Sequence, residues 1–504
     1  MSEFTSAQGI ERFVKLLEIA KLDVKPHQLS GVKWMLKKET DEKPFDGVRG
    51  GINADEMGLG KTIMMIGTIV CNFQRRTLIV VPFALLEQWC TEIYRVTGHE
   101  PLVYHGISKK DYDIEAISAA PIVLTTYGHV TYSETKKKLL HQIKWDRVVC
   151  DEAHHMRNGS NTHVFRGVRM LSASIRWLLT GTPIQNKKND FYALLTVLGV
   201  STSRFKDEGM KEIVIKNMVL KRTKEEAGVF LPKKTEKICK VEWGSEAEKK
   251  LAKDVHSRLT FSGVTSRTNH LGYGDNVLVM LLRARQVCVM PELIAPGISQ
   301  AIKAIDEGIS DDEEEEEENE FSAAIKRQDK TELMKIVDYI VKIHDAGISS
   351  KIKAVCEELK KNKENGKQKI VFCQFRKEID QVERLLKEAG FNTASVDGRT
   401  PKYMREEYLT SKTIDVLILQ IQTGCEGLNL QTFSEVYFVT PHWNPAVEDQ
   451  AVARCHRIGQ QNEVDVFRFE MSNFGDETNS LESHARSVQE KKRELYEMFE
   501  NSSE

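Results

Sequence analysis

The sequence predicts an α/β protein with two parallel-sheet lobes and a helical stretch between them. Three observations predict it. Short runs of branched apolar residues alternate with amphipathic helical patterns in two separate parts of the chain. A glycine-rich loop in the first part follows a strand-like segment and opens an apolar helix. An Asp-Glu pair stands directly after another of the strand-like runs.

The first lobe spans residues 25–235, and its clearest strands are Thr77–Val81, Ile122–Thr125, Arg147–Cys150 and Trp177–Leu179. The second spans 346–475, with strands expected at Lys369–Cys373, Thr393–Val396, Val416–Gln420, Val436–Val439 and Val464–Phe469. Residues 1–24 read as a helical extension, and 236–345 as a helical insertion and linker. In that insertion, Ser245 and Glu248 form a capping box ahead of a helix through His256, and Val277–Val289 is a second helical pattern stopped near Pro291. Residues 476–504 hold a charged helix, Glu482–Glu500, expected to clamp onto the second lobe.

Composition narrows the class. Of 504 residues, 40% are hydrophobic and 29% charged, as in soluble globular proteins. The longest apolar stretch, Leu78–Leu86, is interrupted by Pro82 and is too short to cross a bilayer, so no membrane partner is expected. The nine cysteines are scattered without a CxxC pair, which argues against zinc ribbons and a disulfide framework. The net charge of −2 hides an asymmetry. Nine of the 74 acidic residues sit in the run 311–320, so the rest of the chain carries 72 basic against 65 acidic residues. That surplus suits phosphate binding, and the run itself reads as a solvated linker.

The strongest local signal is Asp55-Glu56-Met57-Gly58-Leu59-Gly60-Lys61-Thr62. Glycines let the backbone approach phosphates, and the following helix start offers free N–H groups and a positive dipole end. Lys61 is expected to reach the β- and γ-phosphates of ATP and Thr62 to ligate Mg2+. Asp55 stands where the general pattern has glycine. Asp151 and Glu152 follow the strand Arg147–Cys150. Asp151 is expected to hold the metal and Glu152 to orient or deprotonate the attacking water. Gln28, ahead of an amphipathic helix, offers an amide for the adenine edge. Thr180, Gly181, Thr182 and Gln185, after the strand Trp177–Leu179, are candidates for coupling phosphate state to lobe movement.

Transition-state charge on a γ-phosphate calls for a further cation. Arg454 and Arg457 lie three apart, on one face if the segment is helical. An arginine finger contributes about 10³–10⁵ in rate.

The blocks DEMGLGKT, DEAH, LTGTPIQN, KIVFCQF, VDGRTP, TGCEGLNL and PHWNPAVEDQAVARCHRIGQ stand in the order of superfamily 2 helicases. The PHWNP and HRIGQ elements, with LKRTKEEAGVFLPKKTEKI and LRARQVCVMPELI, resemble the Swi/Snf-type family of DNA translocases and chromatin remodellers over residues 25–470. The resemblance implies two RecA-like lobes and ATP-driven translocation on double-stranded DNA, nucleosomes or other DNA-bound proteins, by a monomeric motor. It implies nucleic-acid contacts at Gln88, Thr125, Thr126, Arg399, Thr400, Gln422, Thr423 and Trp443, and a coupling role for Gly427. Gln422 replaces the Lys or Arg of many members. Compact members with the TGCEGLNL form resemble those of large DNA viruses, so a nucleus or a cytoplasmic viral replication site is the expected location. The DEAH string alone also permits a strand-separating helicase, and a nucleic-acid- or histone-binding scaffold without catalysis is the third class weighed.

Overall fold

A computed structural model describes residues 3–132, 138–156, 162–183, 188–257, 276–294, 349–424, 428–475 and 480–500. The acidic run 311–320, Gln185, Gly427 and the side chain of Thr423 lie outside the described residues. The chain forms two compact units, whose main spans are Met1–Leu231 and, for the second, Pro232–His456 with Gln460–Lys491.

The first unit is built on a seven-stranded sheet in the order β3-β4-β2-β5-β6-β1-β7. The strands are β1 (Gly50–Asn53), β2 (Thr77–Val81), β3 (Leu102–Tyr104), β4 (Ile122–Thr126), β5 (Lys144–Asp151), β6 (Ser172–Leu179) and β7 (Val219–Leu220). All pairings are parallel. Helices cover both faces, which is why the central strand β2 is buried at every residue instead of alternating. In β2, Leu78 and Val80 join one buried cluster while Ile79 and Val81 join the other. Helices α1 (Glu3–Ile19), α2 (Pro26–Thr40) and α3 (Lys61–Cys71) pack on the second of these faces through Phe13, Val32, Met35 and Met64.

The sheet also carries a buried polar staple. Glu39 at the end of α2 receives Arg147 Nε at 2.7 Å, Asn72 Nδ2 at 2.7 Å and Trp177 Nε1 at 2.8 Å. Glu39 and Arg147 have no exposed side-chain surface, so each charge depends on the other and on these neutral donors.

The second unit has six parallel strands in the order β10-β11-β9-β12-β13-β8. These are β8 (Lys234–Val241), β9 (Gln368–Cys373), β10 (Thr393–Val396), β11 (Val416–Gln420), β12 (Phe433–Phe438) and β13 (Val464–Met471). The boundary expected at 235/236 therefore falls inside a strand: β8 pairs with β13 along its whole length and belongs to the second sheet. Its residues KTEKICKV are mostly outward-facing and charged, as suits an edge strand, and they carry no run of apolar residues for a sequence reading to find. Helices form at Glu246–Ser257, Asn276–Val289 and Leu481–Glu500. Ser245 Oγ accepts the Glu248 N–H at 3.1 Å, the first half of the expected capping box; the Glu248 carboxylate accepts from Gly244 N at 3.2 Å in place of the Ser245 N–H. Among the described residues no helix is long and apolar enough to cross a membrane.

Candidate active site and nucleic-acid interface

The glycine-rich loop leaves β1 and turns into α3. Its backbone continues the pairing with the chain after β7: Ala54 N–H donates to Leu220 O at 2.7 Å and Glu56 N–H to Arg222 O at 2.9 Å. Gly60 sits at φ 85°, the left-handed region that favours glycine, and a Cβ there would lie 2.3 Å from Gln28 Nε2. Lys61 is the first residue of α3, and its ammonium donates to Asp55 O at 2.8 Å, inside the curl of the loop. His27 Nε2 and Gln28 Nε2 both meet Leu59 O, at 3.1 and 3.2 Å. The Gln28 amide nitrogen thus supports the loop from behind, where the sequence suggested an adenine contact.

Asp55 explains how the loop tolerates a carboxylate where the general pattern has glycine. Its side chain is fully buried and paired with Arg222, Nε to Oδ1 at 3.1 Å and Nη2 to Oδ2 at 2.5 Å. Arg222 Nη1 also donates to His27 O at 2.8 Å. One guanidinium fork therefore ties the loop, α2 and the segment after β7 together. Lys224 repeats the theme with Glu56, Nζ to Oε1 at 2.8 Å and backbone N to Oε2 at 2.8 Å. Sequence reasoning missed both residues. The available signal was Asp55 itself, because a carboxylate in a loop destined for burial needs a cation, and LKRTKEEAG is a cation-rich block.

Asp151 ends β5, at the carboxyl edge of the sheet where α/β folds hold ligands. Its Oδ2 accepts from Trp89 Nε1 at 2.7 Å, and its Oδ1 accepts the Glu152 N–H at 2.9 Å. Burial, reinforced by the neighbouring Glu152 charge, holds the Asp151 carboxyl above the usual carboxylate range; the Trp89 bond and Lys61 oppose this. Glu152 adopts φ 47°, a left-handed conformation that costs a non-glycine residue energy and is held by its surroundings. Its carboxylate lies 3.2 Å from His154 Nδ1, and that nitrogen lies 3.5 Å from Thr180 Oγ1. Thr180 Oγ1 accepts the Thr182 N–H at 3.2 Å. A Cβ at Gly181 would come within 2.7 Å of Met57 Cγ and 3.5 Å of Lys61 Nζ, so glycine lets this loop lie against the phosphate loop. A continuous polar path thus runs from Glu152 through His154 to Thr180 and Thr182.

These groups fit a magnesium ion. Asp151 is a buried carboxylate whose charge is incompletely compensated, and Thr62 is the second residue of α3. Among the described residues no group of three or more His, Cys, Asp or Glu side chains is placed to hold a metal alone. Mg2+ keeps waters and substrate phosphate oxygens in its shell and needs only one or two protein ligands.

The expected nucleic-acid residues divide. Thr125 is fully buried and donates to Tyr104 O at 2.8 Å, so its hydroxyl pins β4 to β3 and is not presented to a ligand. Thr126 is 7% exposed, and its hydroxyl lies 3.3 Å from His105 Nδ1. His105 Nδ1 is also 3.2 Å from His129 Nε2, and the His105 ring packs on Phe83, which is 70% exposed. Burial pulls the His129 imidazole down to about 4, with Lys109, His105 and Lys138 adding to the effect. This histidine pair was not found in the sequence. Gln88 has a buried Oε1 without a hydrogen-bond partner.

In the second unit, Arg399 is held by Asp380 at 2.7 Å and Asp397 at 2.6 Å, and Thr400 donates to Ser395 O at 3.2 Å. Gln422 is exposed just past the carboxyl end of β11. Trp443 lies in the loop after β12, with its ring edge-on to His484 at 6.2 Å. Arg454 is in the last turn of the helix Pro445–Cys455, whereas Arg457 lies past its end, so the two do not share the helical face expected of them. Gln460 closes the HRIGQ turn by donating to the carbonyls of Gln431, Phe433 and Cys455 at 2.9, 3.1 and 3.2 Å.

Comparison with known proteins places this architecture. Residues 27–293 match the SNF2-related domain, and residues 350–459 the helicase conserved C-terminal domain. The chain is 29% identical to the DNA repair protein RAD5B of Arabidopsis thaliana, over 84% of this chain and 43% of that protein. It is also 29% identical to the probable global transactivator of Orgyia pseudotsugata multicapsid polyhedrosis virus, over 92% of this chain and 89% of that one. The DNA excision repair protein ERCC-6-like of Danio rerio is 27% identical, over 88% of this chain and 34% of its own length. The chain thus spans less than half of two of these relatives and most of the viral one. Among solved structures, the Hef helicase domain of Pyrococcus furiosus aligns with a TM-score of 0.55 at 15% identity, covering 94% of this chain and 98% of that one, which shows a shared fold. With the SNF2-related model matching more than half its length and the helicase C-terminal model following in order, the chain belongs to the SNF2-related family of helicase-like ATPases.

Proposed function

We propose that the chain hydrolyses ATP and uses the energy to move along double-stranded DNA. The observation that carries the ATP half is the meeting of Lys61, Asp55–Arg222 and Thr180–Gly181–Thr182 in one unit with Asp151–Glu152 at the adjacent strand end. Lys61 exchanges its bond to Asp55 O for the phosphate oxygens of ATP, whose charge it is placed to neutralise. Thr62 and Asp151 would hold Mg2+, which when bound supplies electrostatic neutralisation of the phosphates. Glu152 accepts the proton of the attacking water or orients it, and His154 sits where it can report that change to Thr180. Arg454 and Arg457 are assigned to the transition-state charge on the strength of their motif.

The DNA half rests on family membership and on the relatives named as repair proteins. Contacts from Gln88, Thr126, Arg399, Thr400, Gln422, Thr423 and Trp443 would be to phosphate and sugar, giving sequence-independent, salt-sensitive binding. Arg399 must then share its guanidinium between Asp380, Asp397 and a phosphate. Gln185 and Gly427 keep the coupling role assigned from sequence. Work on nucleosomes or other DNA-bound proteins, in a nucleus or at a viral replication site, is the biological setting this reading favours.

Steady-state ATP turnover with duplex DNA, single-stranded DNA, RNA and nucleosomes, compared at one salt concentration, tests the proposal. Stimulation by duplex DNA that disappears in Lys61→Ala supports it. Robust strand displacement without duplex-stimulated turnover would favour a strand-separating helicase instead.

A further inference from the structure

The C-terminal helix Leu481–Glu500 lies beyond the residues matched by either family model. It is nevertheless built into the second unit with care. Ser480 Oγ donates to Met471 O at 3.1 Å and accepts the Ser483 N–H at 3.2 Å, setting the helix start on the end of β13. Glu482, 1% exposed, accepts the Met471 N–H at 2.8 Å and pairs with the buried ammonium of Lys351.

Further along the same helix, two side chains reach the loop that carries Trp443. His484 presents its ring to Trp443 at 72°. Gln489 is 1% exposed, and its amide nitrogen donates both to His442 O and to Glu448 Oε1, the latter at 2.9 Å. Glu448 is fully buried; it also accepts the His442 N–H at 2.7 Å and Arg468 Nε at 2.8 Å. From the helix Asn276–Val289, Arg285 donates to Pro441 O. The backbone of this loop therefore has Pro441 O, His442 N and His442 O satisfied by side chains from three different elements. Asn444 then caps the helix Pro445–Cys455, accepting the Ala446 N–H at 3.2 Å, and that helix bears both Glu448 and Arg454.

Buried backbone groups without a ladder partner must be paired some other way, and the pairing fixes the loop. We propose that the C-terminal helix is a positioning element for the Trp443 loop, with Gln489 as its key residue, so that DNA engagement depends on a helix outside the two matched domains. The inference rests on the reading of Trp443 as a duplex-DNA contact. Glu448 makes the link direct: one carboxylate joins Gln489, the loop and the helix of Arg454, so a shift of any one is felt by the others.

The test is a double-mutant cycle on the full chain. Gln489→Met keeps the volume and removes the donors. The duplex concentration giving half-maximal ATPase stimulation should rise about fivefold to tenfold, the loss of a buried hydrogen-bond pair. Trp443→Ala should raise the same quantity, and the double variant should be no worse than Trp443→Ala alone, because both changes act through one contact. A merely structural helix would leave the half-stimulating concentration unmoved or give additive losses, and either result overturns the proposal. If Gln489→Met fails to fold, judged by thermal melting, His484→Ala carries the same cycle with a smaller shift in the same direction. If Trp443→Ala has no effect while duplex DNA still stimulates turnover, the reading of Trp443 and this inference fail together and the ATPase reading stands. A wild-type chain that duplex DNA does not stimulate overturns the translocase reading and the inference with it.

Discussion

The two units solve the problem of holding a functional loop in opposite ways. In the first, the phosphate loop is fixed by charges close at hand: Arg222 grips Asp55, Lys224 grips Glu56, and Trp89 holds Asp151. Arg222 and Lys224 follow β7, whose neighbour β1 leads into the loop, while Trp89 reaches Asp151 from the helix Leu86–Thr97. In the second, it is the backbone groups of the Trp443 loop that are held, by side chains of three helices: Arg285, Glu448 and Gln489, with Glu448 as the hub. The first arrangement is stiff and charge-dependent. The second satisfies the backbone of its loop and depends on the packing of the helices that reach it.

The contrast can be broken or sharpened by substitution, beginning with the largest effect. Lys61→Ala should abolish measurable phosphate release, a loss of at least about a hundredfold, because the phosphate charge loses its pre-positioned cation. Turnover near that of the unaltered chain would show that the loop is not the catalytic site. Arg222→Ala should come next. It strands the buried Asp55 carboxylate, which costs about 3–5 kcal/mol, seen as a lowered unfolding midpoint in denaturant. Arg222→Lys should recover little, since a single ammonium cannot reproduce the two-pronged contact. Full recovery by lysine would mean that charge alone matters there.

A third change tests the charge-dependent side more finely. Trp89→Phe keeps the ring and removes the N–H bond to Asp151, so the magnesium concentration for half-maximal turnover should rise by roughly tenfold or less, the worth of one charge-assisted bond. No change in magnesium demand would remove Trp89 from the site. A separate effect, on stability and not on turnover, is expected away from both loops, at His256. Burial holds its imidazole down to about 4, well below its ordinary value of 6.5. The unfolded chain then binds the proton first, so the stability due to neutral His256 is full above about pH 6.5 and is lost as pH falls towards 4, by about 3 kcal/mol. Denaturation of His256→Asn across that interval should show a correspondingly flatter pH dependence than the unaltered chain.

Legibility in the sequence followed the same divide. Strands buried on both faces, such as Thr77–Val81 and Val416–Gln420, could be read to the residue because each carries an unbroken run of four apolar side chains. The edge strands β3, β7 and β8 could not, since they are short or charged, and the residues of β8 were consequently divided between the first lobe and the helical insertion. Lys61 and Thr62, and likewise Asp151 and Glu152, could be proposed from the sequence because phosphate chemistry calls for those residue types in short motifs. Arg222 and Gln489 were not, for each acts on a group far away in sequence, 167 residues in the first case and 41 to 47 in the second. Thr125 shows the reverse case: a motif residue expected to contact nucleic acid has its hydroxyl bonded to the neighbouring strand.

The central claim is that ATP turnover in this chain is driven by double-stranded DNA. The most direct measurement is the rate of phosphate release at saturating ATP and Mg2+ and one fixed salt concentration, with duplex DNA and then single-stranded DNA of the same sequence added. Duplex DNA should raise the rate by at least about tenfold over the DNA-free chain, in keeping with the gain from positioning the transition-state cations, and single-stranded DNA should raise it far less. Equal stimulation by both strands' forms, or none by duplex DNA while Lys61-dependent turnover persists, would contradict it.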